Sequence, residues 1–115
     1  MWKALASSEE LDVIKQSSFT RPQVIYKHST RCVLSSMVKT RLQQKTLPKH
    51  IDFYELDLIA NRKLSNDIAE QFHVHHESPQ VIVVVNGDAI FDNSHMSIRL
   101  EEVIEQAESV KPIQA

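Results

Sequence analysis

Hydrophobic and polar positions along the first half of the chain follow two different periods. Val24–Tyr26 is a β-branched and aromatic run, and it predicts a strand over Gln23–Lys27. The next apolar residues recur at i, i+3, i+4 and i+8, the spacing of one helix face; they are Leu34, Met37, Val38 and Leu42. This change of period predicts a strand that leads into a helix ending near Lys45.

In the second half of the chain, the same patterns predict a strand, a helix and a hairpin. Phe53–Leu58 alternates between apolar and polar residues, as a half-buried strand does, and Asn61–Phe72 has the apolar stripe of a helix. Val81–Val85 is apolar throughout, which is typical of a strand buried on both faces of a sheet. Asn86–Gly87 favours a tight turn, so the chain is predicted to return as a fourth strand, Ala89–Phe91.

Two further helices are predicted near the ends of the chain. Ser7 is a candidate N-cap for the first, because Glu10 completes the spacing of a capping box. The last helix is predicted to have Ser94 or Ser97 as its N-cap and to carry an apolar face through Ala107. The residues after about 110 are expected to fray, and the length of 115 residues predicts one domain over residues 1–115.

These elements predict an α/β fold with a mixed sheet. The first two strands are joined by a helix and should be parallel, because such crossovers are right-handed within one sheet. The last two strands should form an antiparallel hairpin. The predicted order is therefore a helix, a β-α-β unit, a second helix, a hairpin and a last helix.

Composition and charge narrow the classes of function. The formal net charge is −2, so no overall positive field would attract nucleic acid. No apolar run approaches the roughly 18 residues needed to span a bilayer, so no membrane partner is expected. The single cysteine cannot form an internal disulfide, and we expect a protein of the reducing cytoplasm.

That cysteine, Cys32, lies at the predicted strand-to-helix junction. Amide groups in a first helical turn have no intrahelical partner and favour negative charge, which lowers the pKa of a thiol there. Arg31 is adjacent, and Lys27 and His28 are close in sequence, so the nearby charge is positive. We interpret Cys32 as a reactive thiol, although a lone cysteine is most often a buried small hydrophobic residue.

Cys32 and Ser35 form a C-x-x-S motif, the single-thiol form of the C-x-x-C motif that opens a helix in thioredoxin-like redox domains. The motif predicts a thioredoxin-like fold with a four-stranded mixed sheet, order 2-1-3-4, flanking helices and an extra N-terminal helix. Following the strand directions, three further loops should meet the cysteine loop; they contain Leu58–Arg62, Ser78–Pro79 and Asp92–His95. By the same analogy Ser78–Pro79 is expected to be a cis bond, although most X–Pro bonds are trans.

Several motifs resemble, in order and spacing, those of the YtxJ-like family of monothiol bacilliredoxins, also called bacillithiol-system redox-active proteins. The similarity covers about residues 27–98. Its motifs are Lys27–Cys32, Ser35–Met37, Arg62–Asn66, His76–Gln80 and Ser94–His95. The chain departs from the family at Val33, where proline is frequent, and valine should leave an additional N–H facing the sulfur.

The resemblance implies an enzyme, a thiol–disulfide oxidoreductase that reduces mixed disulfides between proteins and bacillithiol. Bacillithiol is a low-molecular-weight thiol that some bacteria use in place of glutathione. Cys32 would attack the bacillithiol sulfur, the client protein would leave as a free thiol, and a second bacillithiol would release the first. The implied partners are bacillithiol, as a co-substrate, and S-bacillithiolated client proteins, with no tightly bound cofactor.

The same resemblance implies roles for the residues around Cys32. Those expected to support the thiolate are His28, Thr30, Arg31 and Ser35. Those expected to bind the thiol substrate are Lys27, Arg62, His76, Glu77, Ser78, Pro79, Ser94 and His95. Bacillithiol carries two malate carboxylates, so basic side chains and a helix N-terminus near Ser94–His95 are expected to act as anion partners.

Several of these residues also have plainer interpretations. Ser35 could lie on the helix surface, and His28 could point into the sheet. The segment His73–Glu77 contains three histidines and a glutamate and resembles a metal-ligand cluster, but no C-x-x-C or H-E-x-x-H pattern accompanies it. We favour polar loop residues there and expect no metal.

Two other functions stay open from the sequence alone. One is an iron–sulfur carrier like some monothiol glutaredoxins, although those have Gly-Phe after the cysteine where this chain has Val33–Leu34. Absorbance of the fresh protein between about 320 and 420 nm would test for such a cluster. The other is a thioredoxin-like interaction module in which Cys32 is inert, with the pKa of a free cysteine.

Overall fold

Five strands and four helices follow one another in the computed structural model, which describes residues 1–115. The elements are β1 (Trp2–Ala4), α1 (Ser8–Ser17), β2 (Gln23–His28), α2 (Val33–Gln43), β3 (Asp52–Asp57), α3 (Arg62–Phe72), β4 (Gln80–Val85), β5 (Asp88–Ser94) and α4 (Leu100–Glu108). A 3-10 turn, His95–Ser97, separates β5 from α4. None of the helices is long and apolar enough to cross a membrane.

The strands form one mixed sheet in the order β1-β3-β2-β4-β5. β2 and β3 are parallel, whereas β4 is antiparallel to both β2 and β5, so the predicted order of the four longer strands is confirmed. The edge strand β1 was not predicted. It pairs with β3 over three residues, which is too short a segment to show a period.

The central strands of the sheet are buried on both sides, because helices cover both faces. Every residue of β2 and β4 is buried. Val24 and Tyr26 of β2 pack toward α2 and α4, whereas Ile25 packs toward α1 and α3 with Leu11 and Ile14. This alternation decides where the polar residues at the end of β2 point.

The N-cap prediction is confirmed for the first helix and wrong for the last. Ser7 Oγ accepts a hydrogen bond from the Glu10 N–H at 3.2 Å. The N-cap of α4 is Arg99, because β5 continues past Phe91 and its last residue, Ser94, pairs with Gln80.

The Asn86–Gly87 turn and the C-terminal tail are joined by a hydrogen bond. Asn86 and Gly87 both have positive φ, 55° and 81°, as a tight hairpin turn requires. Asn86 Oδ1 accepts from the Ile113 N–H at 2.8 Å, and the Gln114 N–H donates to the Phe19 carbonyl at 2.7 Å. The tail after residue 110, expected to fray, is therefore docked.

Candidate active site around Cys32

Cys32 is the N-cap residue of α2 and is partly exposed. Two hydrogen bonds close the turn that precedes it. The Cys32 N–H donates to the Ser29 carbonyl at 3.2 Å, and the Arg31 N–H donates to Ser29 Oγ at 3.3 Å. The predicted strand-to-helix junction is present, and it holds the thiol at the positive end of an 11-residue helix.

The surroundings lower the pKa of the Cys32 thiol. The largest cause is the backbone amide of Ser35; the Leu34 amide and the Ser35 hydroxyl act in the same direction, against the opposing effect of desolvation. The cap side chain makes no hydrogen bond of ordinary geometry, so these groups act through the electrostatics of the helix N-terminus. The main causes are therefore the Ser35 and Leu34 amides rather than the additional N–H of Val33.

Ser35 is fully buried, so its interpretation as a surface residue is wrong. Its Oγ accepts a hydrogen bond from the Ser29 N–H at 3.3 Å, and its carbonyl accepts one from the Tyr26 hydroxyl at 3.0 Å. Tyr26 is a site residue that the sequence pattern does not indicate, because a tyrosine in a buried strand is typical of core packing. One signal was available in the sequence. Tyr26 and His28 are two residues apart on a predicted strand, so their side chains lie on the same face of the sheet.

The basic residues near Cys32 in sequence lie at different depths in the structure. Arg31, like Thr30, is exposed on the turn, whereas Lys27 and His28 are buried. The groups that lower the pKa of Cys32 most are the Ser35 and Leu34 amides and the Ser35 hydroxyl rather than these three basic residues. Successive side chains of a strand point to opposite faces, so Lys27 and His28 enter the two sides of the core.

His28 points into the core, as its alternative interpretation proposed. Its ring stacks on Tyr26, with centroids 5.7 Å apart and planes 5° from parallel. Its Nε2 lies 3.8 Å from a carboxylate oxygen of Glu55. Burial lowers the pKa of His28 despite that carboxylate.

Lys27 is 0% exposed, so the expectation that it binds a carboxylate from solution is wrong. Its Nζ donates to the Ser65 carbonyl at 3.0 Å and lies 3.4 Å from Nδ1 of His76. No carboxylate pairs with it. Burial lowers the pKa of Lys27 to about 8.

The Ser78–Pro79 peptide bond is cis, and its loop is held from both sides. Gln80 is fully buried, and its Nε2 donates to the His75 carbonyl at 2.8 Å. The Pro79 carbonyl accepts from the His95 N–H at 2.9 Å. Ser78 Oγ is buried and has no hydrogen-bond partner.

Glu77 joins this loop to the 3-10 turn. Its two carboxylate oxygens lie 3.2 Å from His95 Nε2 and 3.4 Å from His75 Nε2. His73 is separate, because it ends α3 in the left-handed conformation. The structure contains no group of three or more histidine, cysteine or acidic side chains arranged to hold a metal ion.

Of the two expected anion-binding positions, Arg62 lies at an α-helix N-terminus and Ser94–His95 does not. Arg62 is exposed at the first residue of α3, which has no acidic residue in its first turn and no side-chain cap. Ser94, by contrast, ends a strand, and its N–H donates to Asn93 Oδ1 at 2.8 Å. Ser94 is the N-cap residue of the 3-10 turn only, and the expected α-helix N-terminus at Ser94–His95 is absent, since α4 begins at Leu100.

The largest groove of the molecule lies away from these residues. It has a volume of about 800 Å³ and is lined by the Thr20–Pro22 loop, α4 and the C-terminal tail. That region adjoins the start of β2, whereas Cys32 follows its end. Cys32 lines none of the grooves of the molecule and is partly exposed, so the site around it is an open surface.

A thiol on the N-cap residue of the helix that follows the central strand of such a mixed sheet is the arrangement of a thioredoxin-fold redox protein. A solved structure described as a candidate oxidoreductase with a thioredoxin fold is 29% identical, covers 93% of each chain and has a TM-score of 0.78. The sequence also matches the family of the monothiol bacilliredoxin BrxC over residues 3–103, and the chain belongs to that family. Its function is thus a thiol redox function.

More distant structures show the fold alone. A thioredoxin of Malassezia sympodialis is 16% identical, with a TM-score of 0.76 over 95% of this chain and 92% of that one. A redox protein from Chlamydomonas reinhardtii is 20% identical, with a TM-score of 0.75 over 97% of this chain and 37% of that one.

Proposed function

We propose that this protein reduces mixed disulfides between client proteins and bacillithiol, with Cys32 as the nucleophile. The observation that carries the proposal is a single, partly exposed thiol whose pKa is lowered at the start of α2. Membership of the monothiol bacilliredoxin family supports the choice of bacillithiol. The chain has no second cysteine, so the resolving thiol has to come from solution.

The proposed reaction is two successive thiol–disulfide exchanges. The Cys32 thiolate attacks the bacillithiol sulfur of the mixed disulfide, a Cys32–bacillithiol bond forms, and the client sulfur leaves with the electron pair and takes a proton from water. A second bacillithiol thiolate then attacks the bound bacillithiol sulfur, which yields bacillithiol disulfide and restores the Cys32 thiolate. Such exchange is fastest when the attacking thiol has a pKa near the ambient pH.

Arg62 and the N-terminus of α3 are proposed to hold the malate carboxylates of bacillithiol. The guanidinium is exposed and has no ion-pair partner, and the uncapped first turn of α3 adds unpaired amides. Ser78 is proposed to bind the peptide-like part of the ligand. Its main-chain N–H and C=O have no partner among the loop hydrogen bonds, and its buried Oγ also lacks one.

Client proteins are proposed to contact the apolar side chains beside the thiol. Val33 and Met37 on α2 and Met96 in the 3-10 turn are all exposed. Methionine side chains adapt to differently shaped partners, which suits a protein that acts on several clients.

The test is a multiple-turnover assay with a bacillithiolated model protein and excess bacillithiol, in which release of the client thiol is followed. Wild type should accelerate the release, and Cys32→Ser should not. A parallel reaction with a glutathionylated client and glutathione measures the preference for bacillithiol. Equal rates with both thiols would contradict the proposed substrate, while leaving a general thiol oxidoreductase.

A further inference from the structure

We propose that Lys27 is a positioning residue, which holds His76 in the tautomer protonated on Nε2 and so directs that N–H toward an acceptor oxygen of the ligand. The identity of the ligand rests on the proposed function, whereas the tautomer does not. Lys27 is a buried cation that the exchange reaction itself does not use, and this role accounts for it.

Lys27 is placed to act on the loop that contains the cis-proline. On β2 it pairs with Gln80, the residue that follows Pro79. Its ammonium reaches the Ser65 carbonyl at 3.0 Å and His76 Nδ1 at 3.4 Å, and the residue is fully buried without a carboxylate. An ammonium buried in this way costs stability, so structural support alone does not account for it.

The chemistry of the two groups then decides the position of the imidazole proton. An ammonium has three donors and no acceptor. The ring nitrogen that faces it, Nδ1 of His76, has to be the acceptor, so the single proton of the neutral ring lies on Nε2. The Ser65 hydroxyl also lies 3.5 Å from Nδ1 and can donate to it.

His76 stays neutral because its surroundings disfavour the imidazolium. Burial lowers the pKa of His76, and the charges of Lys27 and Arg62 lower it further, against the opposing carboxylate of Glu77. All hydrogen bonds that His76 makes within the protein involve Nδ1. Nε2 lies on the other side of the ring, and the side chain is partly exposed, so the Nε2–H is free to donate to a ligand.

The location favours a role in binding rather than in the exchange step. His76 lies two residues before Ser78, whose main-chain groups and hydroxyl have no partners. The Nε2–H adds a neutral donor to this set of groups. The ligand chemistry it fits is an oxygen acceptor, a carboxylate or an amide carbonyl, of the low-molecular-weight thiol.

The first test is the tautomer of His76, read from its ring ¹⁵N chemical shifts at pH 7 in the free, reduced protein. Wild type should show a protonated Nε2 and an unprotonated Nδ1. Lys27→Met should shift the ring toward a mixture of tautomers, whereas the exposed-lysine control Lys63→Met should not. A wild-type ring protonated on Nδ1, or shifts unchanged in a folded Lys27→Met, would overturn the proposal; Lys27→Gln serves if the methionine variant does not fold.

The second test measures the KM for the resolving thiol, with bacillithiol and with cysteamine, which has no oxygen acceptor. His76→Leu should raise the KM for bacillithiol about five-fold, the effect of one lost hydrogen bond, and leave that for cysteamine unchanged. His76→Gln, which can present an N–H near the position of Nε2, should restore most of the loss. An equal change with both thiols would overturn the ligand contact, while failure of wild type to use bacillithiol would refute the proposed function and leave the tautomer result standing.

Discussion

Replacing Lys27 by methionine should stabilise the protein at neutral pH, although it removes two polar contacts. The lysine is 0% exposed and no carboxylate neutralises it. Methionine matches the length of its aliphatic stem and has no charge to desolvate. Buried charges replaced by apolar groups of similar shape often leave a protein equally or more stable.

The lowered pKa of Lys27 sets the magnitude of this effect. A fall from the ordinary 10.5 to about 8, at 1.36 kcal/mol per pH unit, means that the charge costs about 3 kcal/mol at pH 7. Loss of the 3.0 Å hydrogen bond from the ammonium to the Ser65 carbonyl, together with the longer 3.4 Å contact with His76, destabilises the variant by about 2 kcal/mol. The expected net stabilisation is therefore about 1 kcal/mol, or a few degrees in Tm.

The difference in stability between wild type and Lys27→Met should depend on pH. Between the folded and unfolded pKa values of Lys27, the unfolded chain binds the proton and the folded chain does not, so wild type gains stability as pH rises. The gain between pH 7 and about pH 9.5 is about 2 kcal/mol. Lys27→Met lacks it, so its advantage should disappear over that range.

Urea denaturation of both proteins at the two pH values measures the effect, with Lys63→Met as the control for an exposed lysine. The control should stay within about 0.5 kcal/mol of wild type at both values. A Lys27→Met protein that is less stable than wild type at pH 7 by more than about 1 kcal/mol would refute the reasoning. So would a difference in stability that does not change with pH.

Three further substitutions test the site. Ser35→Ala should raise the pKa of Cys32, because it removes the hydroxyl that helps to lower it; the pH profile of iodoacetamide alkylation should move to higher pH, and an unchanged profile would contradict this. Tyr26→Phe should cost about 1 kcal/mol of stability in urea denaturation, because the bond to the Ser35 carbonyl is lost; a variant as stable as wild type would show that this bond does not support the turn. Arg62→Gln should raise the KM for bacillithiol several-fold, and less at high salt, while thiols without carboxylates should be unaffected; the same increase with cysteamine would argue against an anion contact.

The sequence predicted the elements with strong patterns. Val81–Val85 is a continuous apolar run, which suits only a strand buried on both faces. Asn86 and Gly87 are residue types that adopt positive φ readily, as a tight hairpin turn requires. Cys32 could be located because the period changes from that of a strand to that of a helix beside it. These signals come from residues that are neighbours in sequence, and tertiary packing does not change the elements that they predict.

The errors arose where tertiary contacts decide the outcome. Lys27 and His28 are close to Cys32 along the chain, but strand alternation sends their side chains into opposite sides of the core. The start of α4 was placed too early because the pairing of Ser94 with Gln80 extends β5. Tyr26 gained its role only from the packing of α2 on the sheet, which brings the Ser35 carbonyl to its hydroxyl.

The central claim is that Cys32 takes up bacillithiol from a client protein. Its most direct test is the intact mass of the reduced protein after one turnover with a bacillithiolated model protein, without free bacillithiol. We predict that the protein gains the mass of one bacillithiol on Cys32, that the client loses the same mass, and that Cys32→Ser gains nothing. An unmodified Cys32, with a client whose disulfide other thiols reduce under the same conditions, would contradict the account.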